Sequence, residues 1–434
     1  MKKPLLPFLL LLMGACAPSA PAPATSPEPA ARPARPPRPE RAEVRERAEA
    51  PPALGISETR PIFDMHRRTF GFSDAGVWIS NEFDGGRVSD AWMDGEGEFT
   101  VQIRPENAPV NNSAWYAFTV WSDRPQTVEV TLIYEDGRHR YWPKTMRAGE
   151  TWLAMDSASV RIDRESNEAT LRLRIGPDTL WVAGQEMMTS TFFDRWTDSL
   201  AAEAYVTRRI AGRSGRGRPM PLVEFGSPDA TRHVMIIGRQ HPPEATGTMA
   251  LLAYVGELAG DSPLAQEFRE HFRVHVIPLV NPDGVDLGHW RHNTGGVDLN
   301  RDWVAFNQPE TRVVRETFTE ILERPGHELW FGVDFHSTQE DVFYTLERSL
   351  ETDPPGITDK WLDYIRSHLP DYEVNDEPSG LETPMSRNWF YGTFGAPALI
   401  YEVGDETDRG LIREVATTAA RGTMEILLEE SGRR

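Results

Sequence analysis

The chain has 434 residues and carries 66 acidic against 46 basic side chains, a formal charge of −20. That balance argues against nucleic acid as a partner, since such surfaces need a basic footprint. The only cysteine is Cys16, so no internal disulfide can form and the fold has to be held by its core.

At the N-terminus, Lys2 and Lys3 precede the apolar run Leu5–Met13, which is too short to span a bilayer as a helix and has the shape of an export signal. The run ends in Met13-Gly-Ala-Cys16, which resembles a bacterial lipoprotein cleavage box. Residues 1–16 therefore read as a lipoprotein-type signal with Cys16 as the lipidated residue, which places the mature chain on the periplasmic or cell-surface side of a membrane. The alternative is an ordinary secretion signal cut after Ala15 or Ala20. Residues 17–59 are rich in Pro, Ala, Arg and Glu and have few large apolar side chains to bury, so they read as a disordered or extended linker.

From residue 60 to 190 the pattern has period two. Phe99–Ile103, Val128–Leu132 and Leu171–Ile175 alternate apolar with polar residues, and Asp136-Gly137 is a hairpin signal. This predicts an all-β domain, an antiparallel β-sandwich, with Trp115, Tyr116 and Trp121 either in its core or facing a bound molecule. From 191 to 430, strands alternate with helical segments such as Glu310–Leu322, Asp359–Leu369 and Leu411–Leu428. That alternation predicts an α/β domain with a mixed, mostly parallel sheet flanked by helices.

Three segments of this second domain carry chemistry. Val234–Gly238 is a buried strand, and after it comes His241-Pro-Pro-Glu244. The two prolines exclude a helix and favour polyproline II, whose three-residue repeat puts His241 and Glu244 on one side of a rigid loop before a helical pattern opening at Thr248. Trp330–Phe335 is a second buried strand that ends at His336, and Ala398–Tyr401 is a third that closes on Glu402. Two imidazoles and a carboxylate suit a catalytic zinc ion, with the fourth position left to water, and a further carboxylate can act as the base. Desolvation at the end of an apolar strand would raise the proton affinity of Glu402 toward that of a useful base. A long loop, Asn281 to Trp303, follows the strand Val274–Val280 and offers His289 and His292 as rival ligands. A loop fixes a metal less well than a strand end does.

Taken in order, His-Pro-x-Glu, Asn281-Pro-Asp-Gly-Val285, Trp290-Arg291, Val297-Asp-x-Asn-Arg-x-Trp303, Phe335-His-Ser337 and Tyr401-Glu402 resemble the zinc metallocarboxypeptidase family, especially its cytosolic carboxypeptidase-like branch. The resemblance covers about residues 60 to 425, and Glu82–Gly86 with Ser113–Phe118 look like the β domain of that branch. It implies that His241, Glu244 and His336 bind one Zn2+ per chain and that Glu402 is the general base and proton shuttle. Arg291 would stabilise the oxyanion, and Asn300 and Arg301 would hold the substrate's terminal carboxylate. Asp298 looks like the carboxylate that orients His241 from behind. Arg387, 15 positions before Glu402, falls where the family lines the pocket for the departing residue, and a cation there would favour a C-terminal Glu or Asp. Two departures stand out. Pro243 replaces an Arg of the digestive members, and Glu377–Thr383 lacks their mobile Tyr, for which Tyr391 is no equivalent.

The resulting expectation is an exopeptidase acting on the C-termini of peptides or proteins, touching a membrane only through its lipid anchor. A zinc amidase acting on a small acylated amino acid or a cell-wall peptide is the alternative. The third reading is a non-catalytic lipoprotein that binds peptides or glycans, which the intact Glu402 disfavours.

Overall fold

Period-two alternation builds two facing sheets in the first part of the computed structural model, which describes residues 59–433. The expected signal, Cys16 and nearly all of the expected linker lie outside those residues. One sheet has six strands and the other five. Phe99, Val101 and Ile103 of the strand Glu98–Ile103, with Val128, Val130 and Leu132 of Gln126–Tyr134, share one buried cluster with Val77, Ile79, Phe118 and Val120 of the opposite sheet. Every second side chain thus enters a common core, as in a sandwich. Trp115 and Tyr116 are part of that core.

Two expectations are corrected here. The sandwich is not purely antiparallel, because Glu98–Ile103 runs parallel to Gln126–Tyr134. The strand between them in sequence, Ala117–Ser122, has crossed to the other sheet, and a crossover is what allows parallel neighbours. Nor does Asp136-Gly137 close a hairpin. Asp136 does take a φ of 58°, but the chain then passes to Lys144–Arg147 in the opposite sheet. The local turn chemistry is satisfied while core packing selects the strand partner.

The second part is built on an eight-stranded sheet. Its order is Val206–Arg213, Pro219–Gly226, Phe272–Ile277, Arg232–Gly238, Glu328–Thr338, Ala398–Gly404, Val342–Leu346 and Asp376–Ser379. The third to sixth of these are mutually parallel, and antiparallel strands flank them. Val234 and Ile236 face the helices Ala245–Leu258, Ile357–His368 and Arg409–Arg433, whereas Met235 and Ile237 face Pro309–Leu322 and Ser386–Phe394. Burial on both faces explains why these strands read as unbroken apolar runs. Among the described residues no helix is long and apolar enough to cross a membrane.

All four parallel strands finish at one edge of the sheet. Register pairs Gly238 with Phe335 and His336 with Glu402, so the three chemically loaded segments emerge side by side. The helix after His241-Pro-Pro-Glu244 begins at Ala245, earlier than the expected Thr248. Its first turn presses on the neighbouring strand. A Cβ on Gly247 would stand 2.1 Å from the His336 carbonyl oxygen, so only glycine fits.

Candidate metal centre and active site

The loop after Gly238 is held from within. Arg239 adopts a left-handed φ of 55°, is buried, and donates from Nε to the Pro242 carbonyl at 2.9 Å and from its guanidinium to Thr248 Oγ1 at 2.8 Å. Strained backbone held by such contacts is common at functional sites. The His241–Glu244 segment is a closed turn rather than the expected polyproline II, with the Glu244 N–H donating to the His241 carbonyl at 3.4 Å. The three-residue spacing still brings the two side chains together.

His241 Nδ1 lies 2.7 Å from Glu244 Oε1, and His336 Nδ1 lies 2.8 Å from Glu244 Oε2 and 3.2 Å from His241 Nδ1. On their far sides, His241 Nε2 is 2.8 Å from Asp298 Oδ1 and His336 Nε2 is 2.9 Å from Asp334 Oδ2. An ionised carboxylate can only accept, so each imidazole keeps a proton on Nε2 and turns Nδ1 inward. Two ring nitrogens and a carboxylate then point at one small space. Tetrahedral ligands about 2.0–2.1 Å from a zinc ion lie roughly 3.3 Å from one another, and this donor set fits such an ion. Among the described residues no other trio of His, Cys, Asp or Glu side chains converges this way.

Charge points the same way. Burial lowers the proton affinity of His336, but Asp334 and Glu244 outweigh it and hold its pKa well above the usual histidine range. Two buried carboxylates and the half-buried Asp298 around two imidazoles thus call for positive charge, which a metal ion provides. Glu402 is different. Burial, with Glu244 adding repulsion, pushes its carboxyl up to about 7 despite the opposing pull of His336, His241 and Arg291. Its Oε2 is buried without a hydrogen-bond partner among the described residues. A carboxyl poised near neutrality beside a metal site has the properties of a general base.

Asp298 stands where the sequence places it, behind His241, and it also accepts from Arg291 Nε at 2.8 Å and from the Asn300 N–H at 2.9 Å. Asn300 Oδ1 accepts from the Ser386 N–H at 3.1 Å, and Arg301 donates to the Asn300 carbonyl at 2.8 Å. The charge of Arg301 is felt by Asp298, Arg291 and Glu402, which puts all four in one neighbourhood. The counterpart of Asp298 behind His336 was missed by sequence reasoning. Asp334 is fully buried and receives Gln240 Nε2 at 2.5 Å and the Ser386 hydroxyl on the oxygen that faces His336, while Trp303 Nε1 holds Gln240 Oε1 at 3.0 Å. A signal existed in Asp334-x-His336, because an acid two residues from a ligand in an apolar strand shares its face.

Geometry narrows one expectation and excludes the rival ligands. Arg387 offers no free fork to a substrate. It is fully buried and donates to the carbonyls of Thr345, Ser379 and Gly380, to Ser379 Oγ and to Asn388 Oδ1. Those bonds stiffen the backbone around residues 379 and 380, and burial pulls its pKa down to about 10. The rival ligands His289 and His292 are also elsewhere. His289 Nδ1 meets the His292 carbonyl at 2.9 Å and His292 Nδ1 meets Asn107 Oδ1 at 2.7 Å.

Comparison with known proteins agrees with this geometry. Residues 193–376 match the zinc carboxypeptidase family, a stretch that includes His241, Glu244 and His336. Cytosolic carboxypeptidase 6 of Homo sapiens is 31% identical over 282 residues, 59% of this chain and 56% of that protein. Its Mus musculus namesake is 31% identical over 160 residues, 34% of this chain and 30% of that protein, so the chain spans only part of these relatives' length. A metallo-carboxypeptidase from Burkholderia cenocepacia shares the fold, with a TM-score of 0.67 at 20% identity over 82% of this chain and 99% of that one. Residues 193–376 are therefore a zinc carboxypeptidase domain with cytosolic carboxypeptidases among its homologues, its metal is zinc, and His241, Glu244 and His336 are the trio that could hold it.

Proposed function

We propose that the chain is an exopeptidase that removes amino acids from the C-termini of peptides or proteins. The observation that carries this reading is the convergence of His241, Glu244 and His336 beside a buried carboxyl oxygen of Glu402 that has no partner among the described residues. Zinc, when bound by that trio, supplies a Lewis acid that polarises a carbonyl and makes water a nucleophile at neutral pH. Glu402 takes the proton of the attacking water and delivers it to the leaving amine. Arg291 Nε is tied to Asp298, so its terminal N–H groups are the ones that meet the oxyanion as it develops. Asn300 spends Oδ1 on Ser386, leaving Nδ2 as the donor that joins Arg301 on the terminal carboxylate. The test compares a free-ended peptide with the same peptide amidated at its C-terminus. Release from the free form alone is expected, and equal rates would remove the carboxylate clamp from the reading.

Two finer proposals accompany it. A preference for a terminal Glu or Asp is supported by Arg387 through its charge rather than its donors, since that buried guanidinium makes no ion pair within 4.0 Å among the described residues. Peptides ending in Glu, Lys and Leu decide this, and a preference for Leu ends it. The second proposal is export as a lipoprotein, supported by the Leu5–Met13 run and the lone Cys16. Cys16→Ser should abolish labelling by a fatty-acid probe, and persistent labelling would refute the anchor.

A further inference from the structure

The loop that carries Arg291 belongs to the α/β part, yet the β-sandwich holds it. Trp290 is fully buried in the sandwich's own hydrophobic cluster, not in either cluster of the eight-stranded sheet. Its Nε1 donates to the Trp115 carbonyl at 3.0 Å, and its ring lies so close over Gly137 that a Cβ there would stand 2.3 Å from a ring carbon. Beside it the buried carboxylate of Glu106 accepts three successive backbone N–H groups, from Trp290 at 2.7 Å, Arg291 at 3.0 Å and His292 at 2.6 Å. Burial would raise the pKa of Glu106, but His289, His292, Arg87 and the His292 N–H bring it down to about 2, so it stays ionised. Charge-assisted bonds to backbone amides are strong and directional, and three on one anion fix the peptide planes that bear them. Between its two anchored neighbours, Arg291 sends its side chain the other way, to Asp298.

We propose that Glu106 is a positioning residue for catalysis, fixing through the amides of Trp290, Arg291 and His292 where the Arg291 guanidinium meets the reacting carbonyl. The sandwich is then a working part of the active site. This rests on the exopeptidase reading for its kinetic consequence, though not for its structural one. Misplacing a preorganised cation by about 1 Å costs on the order of 100-fold in rate.

The experiment uses the full chain loaded with zinc, as wild type, Glu106→Gln, Arg291→Ala and the double variant. Each is assayed on a free-ended peptide, and amide hydrogen exchange is followed over residues 288–293. Glu106→Gln should lower kcat about 10–100-fold with KM changed less than about 3-fold, because the lost alignment is felt in the transition state. In the Arg291→Ala background the same change should cost no more than about 2-fold, since both substitutions act through one group. Exchange at the three amides should quicken at least about 10-fold while the strand Arg232–Gly238 is unaltered. Independent, multiplying effects in the double variant, or unchanged exchange, overturn the proposal. Should Glu106→Gln not fold, Gly137→Ala displaces Trp290 and leaves the Glu106 carboxylate itself unchanged, its new Cβ also standing 3.2 Å from Asn112 Oδ1, and must show the same non-additivity; wild-type kinetics and exchange in that variant overturn it equally. A wild type that releases no C-terminal residue defeats the exopeptidase reading instead, and the exchange comparison still decides whether Glu106 holds the loop.

Discussion

His336 and Glu402 stand directly opposite each other on neighbouring parallel strands, one in the trio that could hold a metal and the other the carboxyl whose Oε2 has no partner among the described residues. In a parallel pair opposed residues leave the sheet on the same face, so the register alone brings base and metal site together. A slip of one residue would send Glu402 to the opposite face. The apolar runs before both residues specify that register through the two layers of core they fill.

Glu402→Gln separates base from ligand. The amide preserves shape and cannot accept a proton, so kcat should fall by about 10²–10⁴-fold. The donors of His241, Glu244 and His336 are untouched, and zinc content measured by atomic emission should stay at the wild-type level. Loss of zinc together with activity would show that Glu402 holds the metal.

Asp334→Asn tests the orientation of His336. The carboxylate now receives His336 Nε2, Gln240 Nε2 and the Ser386 hydroxyl on one oxygen. An amide brings N–H donors of its own and weakens the hold on the Nε2 proton. Zinc affinity, measured by competition with a chelator, should fall about 10–100-fold. Unchanged affinity would mean that the imidazole is fixed by packing against His241 and Gly247 instead.

How much of this was legible follows from where each contact lies along the chain. The convergence of His241, Glu244 and His336, with Glu402 and Asp298 beside them, was legible because each sits in a short local pattern: a strand end, a Pro-Pro turn, an Asp two residues before Asn300. The alternation of strands and helices likewise exposed the α/β layer. What escaped were relationships between distant segments. Glu106 is 184 residues from Trp290, and nothing near either one marks the pairing. The parallel pair in the sandwich and the passage at Asp136-Gly137 depend on which sheet each strand joins, and period two does not encode that choice. For Arg387, the spacing from Glu402 says where its backbone lies and not that its donors are claimed by carbonyls of Thr345, Ser379 and Gly380.

The far end of the sheet makes a prediction independent of catalysis. His233 bridges His275, at 2.9 Å, and His327, at 2.8 Å, and His275 in turn meets Glu224 at 2.9 Å. Burial, helped by the charges of His275, His327, Arg273 and Arg324, drives the pKa of His233 down to about 3. Burial also lowers that of His275, though Glu224 opposes the shift. The unfolded chain therefore takes up protons below about 6.5 that the folded chain refuses, so stability is highest above that pH and declines as pH falls toward 3. Each such histidine contributes a slope of about 1.4 kcal/mol per pH unit within the window. His233→Phe removes one titrating group, at the cost of two hydrogen bonds, so the variant should melt lower at neutral pH yet lose less between pH of roughly 6.5 and 5, where most carboxylates stay ionised. Calorimetric melting temperatures across that range decide the matter, and parallel slopes for the two proteins would place the acid sensitivity elsewhere.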